Sequence, residues 1–404
     1  MTERLATGAR AASLWPRSPV RRFPRTVPVP RSVCLYTPSV DASGMGAHMV
    51  DLAAEFAGVR DVSVMAWATP GNRRLLARAE EVGATALPLP HPRDPAFADT
   101  VVGHLAAHPA DVFHIHVGFG KEDFDGARAA RRAGVPAVVQ TQHLPWRIGS
   151  RKPRARLFHA LEPVDHVIMV SEAQRRTYER IGLHPRRITT VLNGVRPRGP
   201  GLGRARARAE LGLPPLAPVV LTVGRLTVMK GQRYLMAAVP GLAARFPGLQ
   251  VVIIGDGHLR EALERQAADL GVTGNVRLAG HRPDARLLLD AADVFVLPSV
   301  NEAMPLALLE AMDAGLPVVA TRVFGSAEIV DDGEVGLLVR PGDSDALESA
   351  LARLLADPEL RRRYTESGQR RYQEGFTSAR MAADTLGVYR RVLLNRPAAL
   401  GAGV

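Results

Sequence analysis

The 404 residues are 46% hydrophobic and 23% charged, a balance typical of globular proteins, and they suffice for two domains. No stretch approaches the roughly 18 consecutive apolar residues of a membrane span, and the single cysteine, Cys34, excludes an internal disulfide and a cysteine-based metal site. Half of the net charge of +12 lies in the first 31 residues, which hold seven arginines and one glutamate. That segment is proline-rich and aperiodic, so we predict residues 1–30 to be a disordered basic extension. We expect a cytoplasmic protein.

From residue 31 onward, short apolar strands alternate with longer helices, which is typical of parallel α/β sheets. The first series has predicted strands at 33–37, 61–66, 85–88, 111–117, 137–141, 166–170 and 188–192, and helices at 47–57, 73–82, 97–108, 125–134 and 172–181. A glycine-bearing loop at 39–46 follows the first strand, and Ser171 is the expected N-cap of the last helix. We assign residues 31–196 to a first domain.

Residues 197–215 are rich in proline, glycine and arginine and indicate a linker, with a short helix near 204–211. A second series follows, with strands at 219–223, 250–254, 276–279, 294–297, 317–321 and 336–339, and helices at 232–246, 259–270, 285–292, 345–356 and 358–374. We assign residues 216–376 to a second domain. The last helix, within 377–395, is expected to pack back on the first domain.

Ligands bind open parallel sheets at the carboxyl ends of the strands, so two such domains predict a cleft between them. In the second domain a strand ends at Pro298, a polar loop carries Glu302, and Pro305 suits the first turn of a helix that carries Glu310. The free N–H groups at that helix start would attract anions and sugar hydroxyls. The spacing of the two glutamates alone is explained better by a solvated helix surface, since such pairs arise by chance.

A cationic loop follows the first strand of the second domain. Arg225 and Lys230 stand five residues apart between Gly224 and Gly231. The planar guanidinium and the ammonium suit a diphosphate, although a solvated basic loop is the alternative. Gly255-Asp256-Gly257 is weak support for a nucleotide site, because no third glycine follows at the usual spacing.

Three histidines of the first domain lie in a predicted strand or directly after one. We expect His114 and His116 to face opposite sides of their strand, with one buried and His116 in the cleft. His143 follows the next strand and is the stronger candidate for a functional role. Asp343-Ser344-Asp345 matches the Asp-x-Asp pattern of metal-dependent transferases, but it follows a Pro-Gly turn, so we interpret Asp343 as a helix N-cap.

Taken together, these motifs resemble the retaining glycosyltransferases of family 4. The resemblance is carried by Gly224-Arg225, Lys230-Gly231, Gly255-Asp256-Gly257, Glu302 and Glu310 with Pro305-Leu306 between them, and Gly325 with Glu328, and it extends over about 31–394. It implies the GT-B fold, in which two Rossmann-like parallel-sheet α/β domains face each other across a cleft. It also implies metal-independent transfer of a sugar, with retention, from a nucleoside-diphosphate sugar to a hydroxyl-bearing acceptor, without a cofactor.

The resemblance also implies roles for individual residues. The catalytic set would be Arg225, Lys230, Glu302 and His143, and the donor-binding set would be Gly44, Gly46, Gly224, Gly255, His281, Arg282, Ala303, Met304, Pro305, Leu306 and Glu310. In these roles the cations would hold the diphosphate, and Glu302 with the backbone of 303–306 would contact the donor sugar. Glu310 would bind the ribose, 281–282 would lie near the base, and Gly44 and Gly46 would let their loop approach the phosphates. His143 would orient the transferred sugar.

Two other kinds of function stay open at this point. The same fold serves sugar-nucleotide epimerases and transferases with non-sugar donors, and a non-catalytic basic scaffold would bind membranes or nucleic acid through its arginines. The basic run at 147–156 would attract an anionic acceptor or the anionic surface of a membrane, or be a solvated loop. Nucleic acid is not expected, because no aromatic residues are interspersed with the charges.

Overall fold

The computed structural model describes residues 29–41, 43–118, 125–144 and 151–395. Nearly all of the predicted basic extension, 1–30, and the first part of the basic run, 147–156, lie outside the described residues. Within the described ranges, no helix combines the length and apolar character needed to cross a bilayer.

The first domain is built on a seven-stranded parallel sheet. Its strands are β1 Ser32–Thr37, β2 Asp61–Trp67, β3 Thr85–Leu89, β4 Val112–Val117, β5 Ala137–Gln142, β6 His166–Met169 and β7 Ile188–Thr190. They pair in the order β3-β2-β1-β4-β5-β6-β7. β4 and β5 are buried along their whole length, because helices cover both faces of a parallel sheet.

The helices of this domain connect successive strands. They are α1 Ser43–Ala57, α2 Pro70–Glu81, α3 Phe97–Ala107, α4 Asp125–Arg132, α5 Arg151–Ala160 and α6 Glu172–Arg180. The expected N-cap is confirmed, since Ser171 Oγ accepts a hydrogen bond from Gln174 N at the start of α6. α5 was not predicted, and it covers the second part of the basic run.

The prediction of a loop over residues 39–46 is wrong for its last four residues. α1 begins at Ser43, so Gly44 and Gly46 lie in the first turns of a helix. The reason is packing: Met49, Leu52 and the residues around them bury one face of α1 in the core of the first domain. That burial outweighs the low helix propensity of two glycines.

The second domain holds a six-stranded parallel sheet. Its strands are β8 Val219–Val223, β9 Gln250–Ile254, β10 Val276–Gly280, β11 Val294–Leu297, β12 Val318–Thr321 and β13 Gly336–Val339. They pair in the order β10-β9-β8-β11-β12-β13. Two parallel sheets of Rossmann-like type, as predicted from the alternation of strands and helices, therefore make up the fold.

The helices from the linker onward are α7 Arg204–Glu210, α8 Gln232–Arg245, α9 Arg260–Asp269, α10 Ala285–Leu288, α11 Leu306–Asp313, α12 Ser326–Ile329, α13 Ser344–Ala356, α14 Pro358–Gly375 and α15 Ser378–Leu394. Pro305 is not in the first turn of α11, as expected, but precedes it with extended backbone. Asp343 caps α13 by accepting from Ala346 N, which confirms the N-cap interpretation.

The last helix returns to the first domain. α15 packs against α1, and its residues Met381, Val388 and Tyr389 belong to the core of that domain. The Tyr389 hydroxyl lies 2.6 Å from His114 Nδ1, and His114 Nε2 lies 2.7 Å from Thr141 Oγ1. All three groups are buried. The C-terminal helix is therefore held by apolar packing and by polar contacts that include the buried one between Tyr389 and His114.

This contact predicts the effect of removing one hydroxyl. Tyr389→Phe leaves His114 Nδ1 buried without its partner, so we expect the free energy of unfolding to fall by about 1–3 kcal/mol in urea titrations. Tyr364→Phe is the matched control, because that ring is equally buried and its hydroxyl makes no hydrogen bond to a described residue. Equal stabilities of the two variants would contradict this account of α15.

Candidate active site

The loops after β8 and β11 pack against each other at the edge of the second sheet. Gly231 ends the cationic loop with φ +65°, and a Cβ at this position would overlap the Pro298 carbonyl oxygen. Val300 N donates to Met229 O at 2.8 Å. Both contacts require the loop after β8 to lie directly on the residues that follow β11, which brings the cations to the glutamate loop.

Lys230 and Glu302 form an ion pair at this junction. Lys230 Nζ contacts Glu302 Oε1, and Ser299 Oγ donates to the same oxygen at 3.0 Å. Glu302 is only 6% exposed. Thr321 Oγ1 in turn donates to the Ser299 carbonyl. The carboxylate is thus fixed in one position, with its charge balanced by a single ammonium.

Arg225 differs from Lys230 in being unpaired. Its side chain is exposed, and no hydrogen bond or ion pair joins its guanidinium to another described residue. Gly224 N donates to Ile254 O at 2.9 Å and Gly255 N donates to Gly280 O at 2.8 Å, which aligns the three neighbouring strand ends. A free guanidinium at this edge suits an anionic ligand.

The start of α11 completes this part of the site. Ala303 and Met304 are buried, and Gly325 packs so closely that a Cβ there would overlap the Ala303 carbonyl oxygen. Pro305 and Leu306 then turn the chain into the helix. The N-terminus of α11 carries the positive end of the helix dipole and stands next to Glu302 in the chain.

Glu310 belongs to a separate ion-pair network on α11. Arg286 Nε lies 3.7 Å from Glu310 Oε1, and Arg286 Nη2 lies 3.0 Å from Asp313 Oδ2. Burial raises the pKa of Glu310, and the nearby Asp51 and Asp313 act in the same direction, whereas Arg286 lowers it. Described contacts do not join Glu310 to Lys230 or Glu302, so the two glutamates serve different parts of the cleft.

The residues predicted near a nucleobase follow β10. His281 Nε2 lies 2.6 Å from Nη1 of Arg74, which belongs to α2 in the first domain. Arg282 makes a bidentate ion pair with Asp284, at 2.8 and 2.7 Å. The first of these contacts crosses the cleft, and the second keeps the Arg282 guanidinium on its own loop.

Three histidines meet on the first-domain wall of the cleft. His116 Nδ1 lies 3.1 Å from His143 Nε2, and the ring centroids of His48 and His143 are 4.6 Å apart. Burial lowers the pKa of His48 to about 4. Burial, together with the charges of neighbouring histidines, holds the pKa values of His116 and His143 well below their usual range. All three rings are therefore neutral at pH 7.

The expectation for His114 and His116 is wrong. Their ring centroids lie 4.1 Å apart and both side chains are fully buried on one face of β4. Residues two apart in a strand share a face, because successive side chains alternate. His114 contacts Tyr389 of α15, as described above, whereas His116 contacts His143.

Two further contacts join the domains. Both carboxylate oxygens of Glu328 accept backbone hydrogen bonds from the start of α6, from Glu172 N and Ala173 N at 2.8 Å each. Asn193, which follows β7, donates from Nδ2 to Met304 O at 3.1 Å. Burial raises the pKa of Glu328, and these N–H groups lower it.

Sequence reasoning missed Ser299, Asn193, His48 and Arg286 as members of this region. Asn193 and Ser299 each follow a predicted strand directly, so their positions at strand ends were a usable signal. His48 and Arg286 lie on helices, and nothing in their local pattern distinguishes them from ordinary helix residues.

Residues 203–371 match the family described as glycosyl transferases group 1, and residues 42–198 match glycosyltransferase family 4. The chain is 32% identical over 396 residues to the alpha-maltose-1-phosphate synthase of Mycolicibacterium smegmatis, covering 88% of this chain and 97% of that protein. It is 43% identical over 170 residues to the lipopolysaccharide core biosynthesis glycosyltransferase LpsE of Rhizobium meliloti. That match covers 42% of this chain and 49%, about half, of the relative.

The fold is similar to that of Anabaena HepE, whose crystal structure is in complex with UDP and glucose. The TM-score is 0.75 at 22% identity, and the match covers 89% of this chain and 100% of HepE. At this level of identity the likeness concerns the arrangement of the two domains alone.

The close packing at Gly325 predicts a steric effect on the loop at Ala303. Gly325→Ala pushes a methyl group into the Ala303 carbonyl, so we expect the free energy of unfolding to fall by about 1–3 kcal/mol. Gly274→Ala is the control, since a Cβ there meets nothing within 4 Å, and it should change stability by less than about 0.5 kcal/mol. Chemical denaturation of both variants measures the difference, and an unchanged Gly325→Ala would refute the tight contact.

Proposed function

The chain belongs to glycosyltransferase family 4, as its motifs predict, and on that premise we propose that it transfers a sugar from a nucleoside-diphosphate sugar to a hydroxyl acceptor, with retention and without a metal ion. The observation that carries the proposal is the contact of the cationic loop with Glu302 at the start of α11. In this arrangement Lys230 contacts a fixed carboxylate, Arg225 lies on the same loop as Lys230, and α11 begins shortly after Glu302 in the chain.

In the proposed reaction the diphosphate binds at Arg225 and Lys230. Negative charge develops on the leaving diphosphate as the glycosidic bond breaks, and cations already in position stabilise that charge. Arg225 is exposed and unpaired among the described residues, so it is free to make a bidentate contact. Lys230 keeps Glu302 as a partner while its remaining N–H groups turn to the phosphate.

The carboxylate of Glu302 accepts hydrogen bonds from hydroxyls of the donor sugar in this proposal. Its contacts with Lys230 and Ser299 hold it in place before the donor arrives, which lowers the cost of ordering the site. Glu310, on α11, takes the ribose hydroxyls, and residues 281–282 lie toward the base. His143 is neutral, so its ring orients the sugar by hydrogen bonding rather than by charge.

Retention is proposed to arise from front-face attack. The acceptor hydroxyl approaches on the side from which the diphosphate departs, through an oxocarbenium-like state. Its oxygen bonds to the anomeric carbon while its proton passes to a leaving phosphate oxygen. Glu302 is engaged by Lys230 and Ser299 and is proposed as a binding group, not as a nucleophile. Isolation of a covalent glycosyl-enzyme would overturn this step.

Uridine diphosphate is the first leaving group to test, because HepE binds UDP in a structure of similar fold. A ligand that binds the folded protein raises its melting temperature. We therefore expect UDP to raise the melting temperature of the full chain and Arg225→Ala to weaken that rise. A panel with GDP, ADP and dTDP identifies the base, and no shift with any of the four would contradict the proposed donor site.

Removal of either member of the ion pair should slow transfer. We expect Lys230→Ala and Glu302→Ala each to lower kcat by about 100- to 1,000-fold, since each removes a preorganised group of the donor site. Arg265→Ala is the control, because Arg265 is exposed on α9 and has only a 3.8 Å ion pair with Glu261. Radiolabelled nucleotide sugars measure turnover, and wild-type rates in both site variants would refute the assignment.

Metal independence and retention are tested together with the product. We expect EDTA to leave the rate of transfer unchanged, since cations of the protein meet the leaving group. The product should keep the anomeric configuration of the donor, read from the anomeric proton coupling by NMR. Loss of activity in EDTA that added Mg²⁺ restores, or an inverted anomer, would contradict the respective part of the proposal.

A further inference from the structure

We propose that His48, His116 and His143 form a binding site for a divalent transition-metal ion of the Zn²⁺ class, and that an ion bound there inhibits transfer. One ring nitrogen of each histidine lies within 4.8 Å of a nitrogen of each of the others. The group combines α1, the end of β4 and the residue after β5, so the fold itself brings the three rings together.

The closest pair already has a separation that suits a metal. His116 Nδ1 and His143 Nε2 are 3.1 Å apart. Two nitrogens bound to one tetrahedral zinc at about 2.0–2.1 Å are separated by about 3.3 Å. The distance therefore fits a shared ion as well as it fits a hydrogen bond. A small rotation of His48, whose ring is 4.6 Å from that of His143, would bring in the third ligand.

The hydrogen-bonding pattern of the rings favours an additional ligand. His48 Nδ1 is buried and has no hydrogen-bond partner among the described residues. Buried polar atoms normally have a protein or water partner. A hydrogen bond between His116 and His143 satisfies one nitrogen of each ring, and the His48 ring takes no part in it.

The chemistry of the three side chains suits the ion. Imidazole nitrogens bind zinc and its neighbours in the neutral form, which is the predominant form of a histidine side chain at pH 7. Three histidines with a fourth position open to water is a known arrangement for zinc. Asn193 lies beside His48, where it can orient the ring in the way that outer contacts orient metal ligands.

The inhibitory effect rests on the proposed function, whereas the site itself does not. A metal at this position occupies His143 Nε2, which the proposed function uses to orient the sugar. The ion would therefore compete with productive binding rather than take part in transfer. Chelation then leaves the basal rate unchanged, and added Zn²⁺ lowers it.

Metal binding is tested without any sugar substrate, on the full untagged chain freed of metal. We expect Zn²⁺ to bind with a stoichiometry of one by calorimetry, and Co²⁺ to give the intense visible bands of a tetrahedral site. His48→Asn and His116→Asn should each weaken binding by about 100-fold or more, beyond the loss that outer contacts cause. His166→Gln is the buried control, because its ring contacts Thr189 at 2.8 Å outside this group, and it should leave affinity unchanged.

The results separate the site from its effect. Absence of one-to-one binding, or equal binding by His48→Asn and the wild type when both are folded by circular dichroism, overturns the site. Binding of Zn²⁺ without any loss of transfer overturns the inhibition and leaves the site. If Lys230→Ala loses transfer but binds Zn²⁺ normally, the metal site and the proposed transferase function are independent of each other.

Discussion

The two sheets face each other because hydrogen bonds between side chains and backbone join the two domains. The carboxylate of Glu328 satisfies two backbone N–H groups at the start of α6, groups that a helix cannot satisfy within itself. Asn193 reaches Met304 O, and the Tyr372 hydroxyl donates to Val195 O at 2.9 Å. These contacts set the distance between the histidine group on one wall and Glu302 on the other. The proposed role of His143 toward a sugar held by Glu302 depends on that distance.

The charged side chains of the cleft form separate groups. Lys230 is balanced by Glu302 and Arg286 by Asp313, whereas Arg225 is exposed and has no partner among the residues that the structure describes. The opposite wall combines the imidazoles of the histidine group with Arg74, which contacts His281. An anion entering the cleft can pair with Arg225 on the loop after β8, which packs on the residues that lead into α11. The positive end of that helix adds to the attraction.

Much of this architecture was predictable from the sequence. The pattern of hydrophobic residues indicates the strands and helices, and the carboxyl ends of the strands indicate where a site lies. Arg225, Lys230 and Glu302 were found this way, and the structure brings Lys230 and Glu302 into contact. The predictions failed where distant packing decides. α1 begins earlier than its glycines suggest, since its apolar face packs into the core. The four-residue α12 is too short to show a helical period. Asn193 and Met304 are 111 positions apart, and no local pattern indicates such a partner.

The return of α15 to the first domain has a consequence for synthesis on the ribosome. Domains generally fold in order as the chain emerges. Here the first domain lacks Tyr389, Met381 and Val388 until the whole second domain has been made. Its core then has an open apolar groove along α1, and the Nδ1 of His114 has no partner. Completion of the N-terminal half is thus delayed until α15 has been made, and the cleft reaches its final form only after α15 has packed on the first domain.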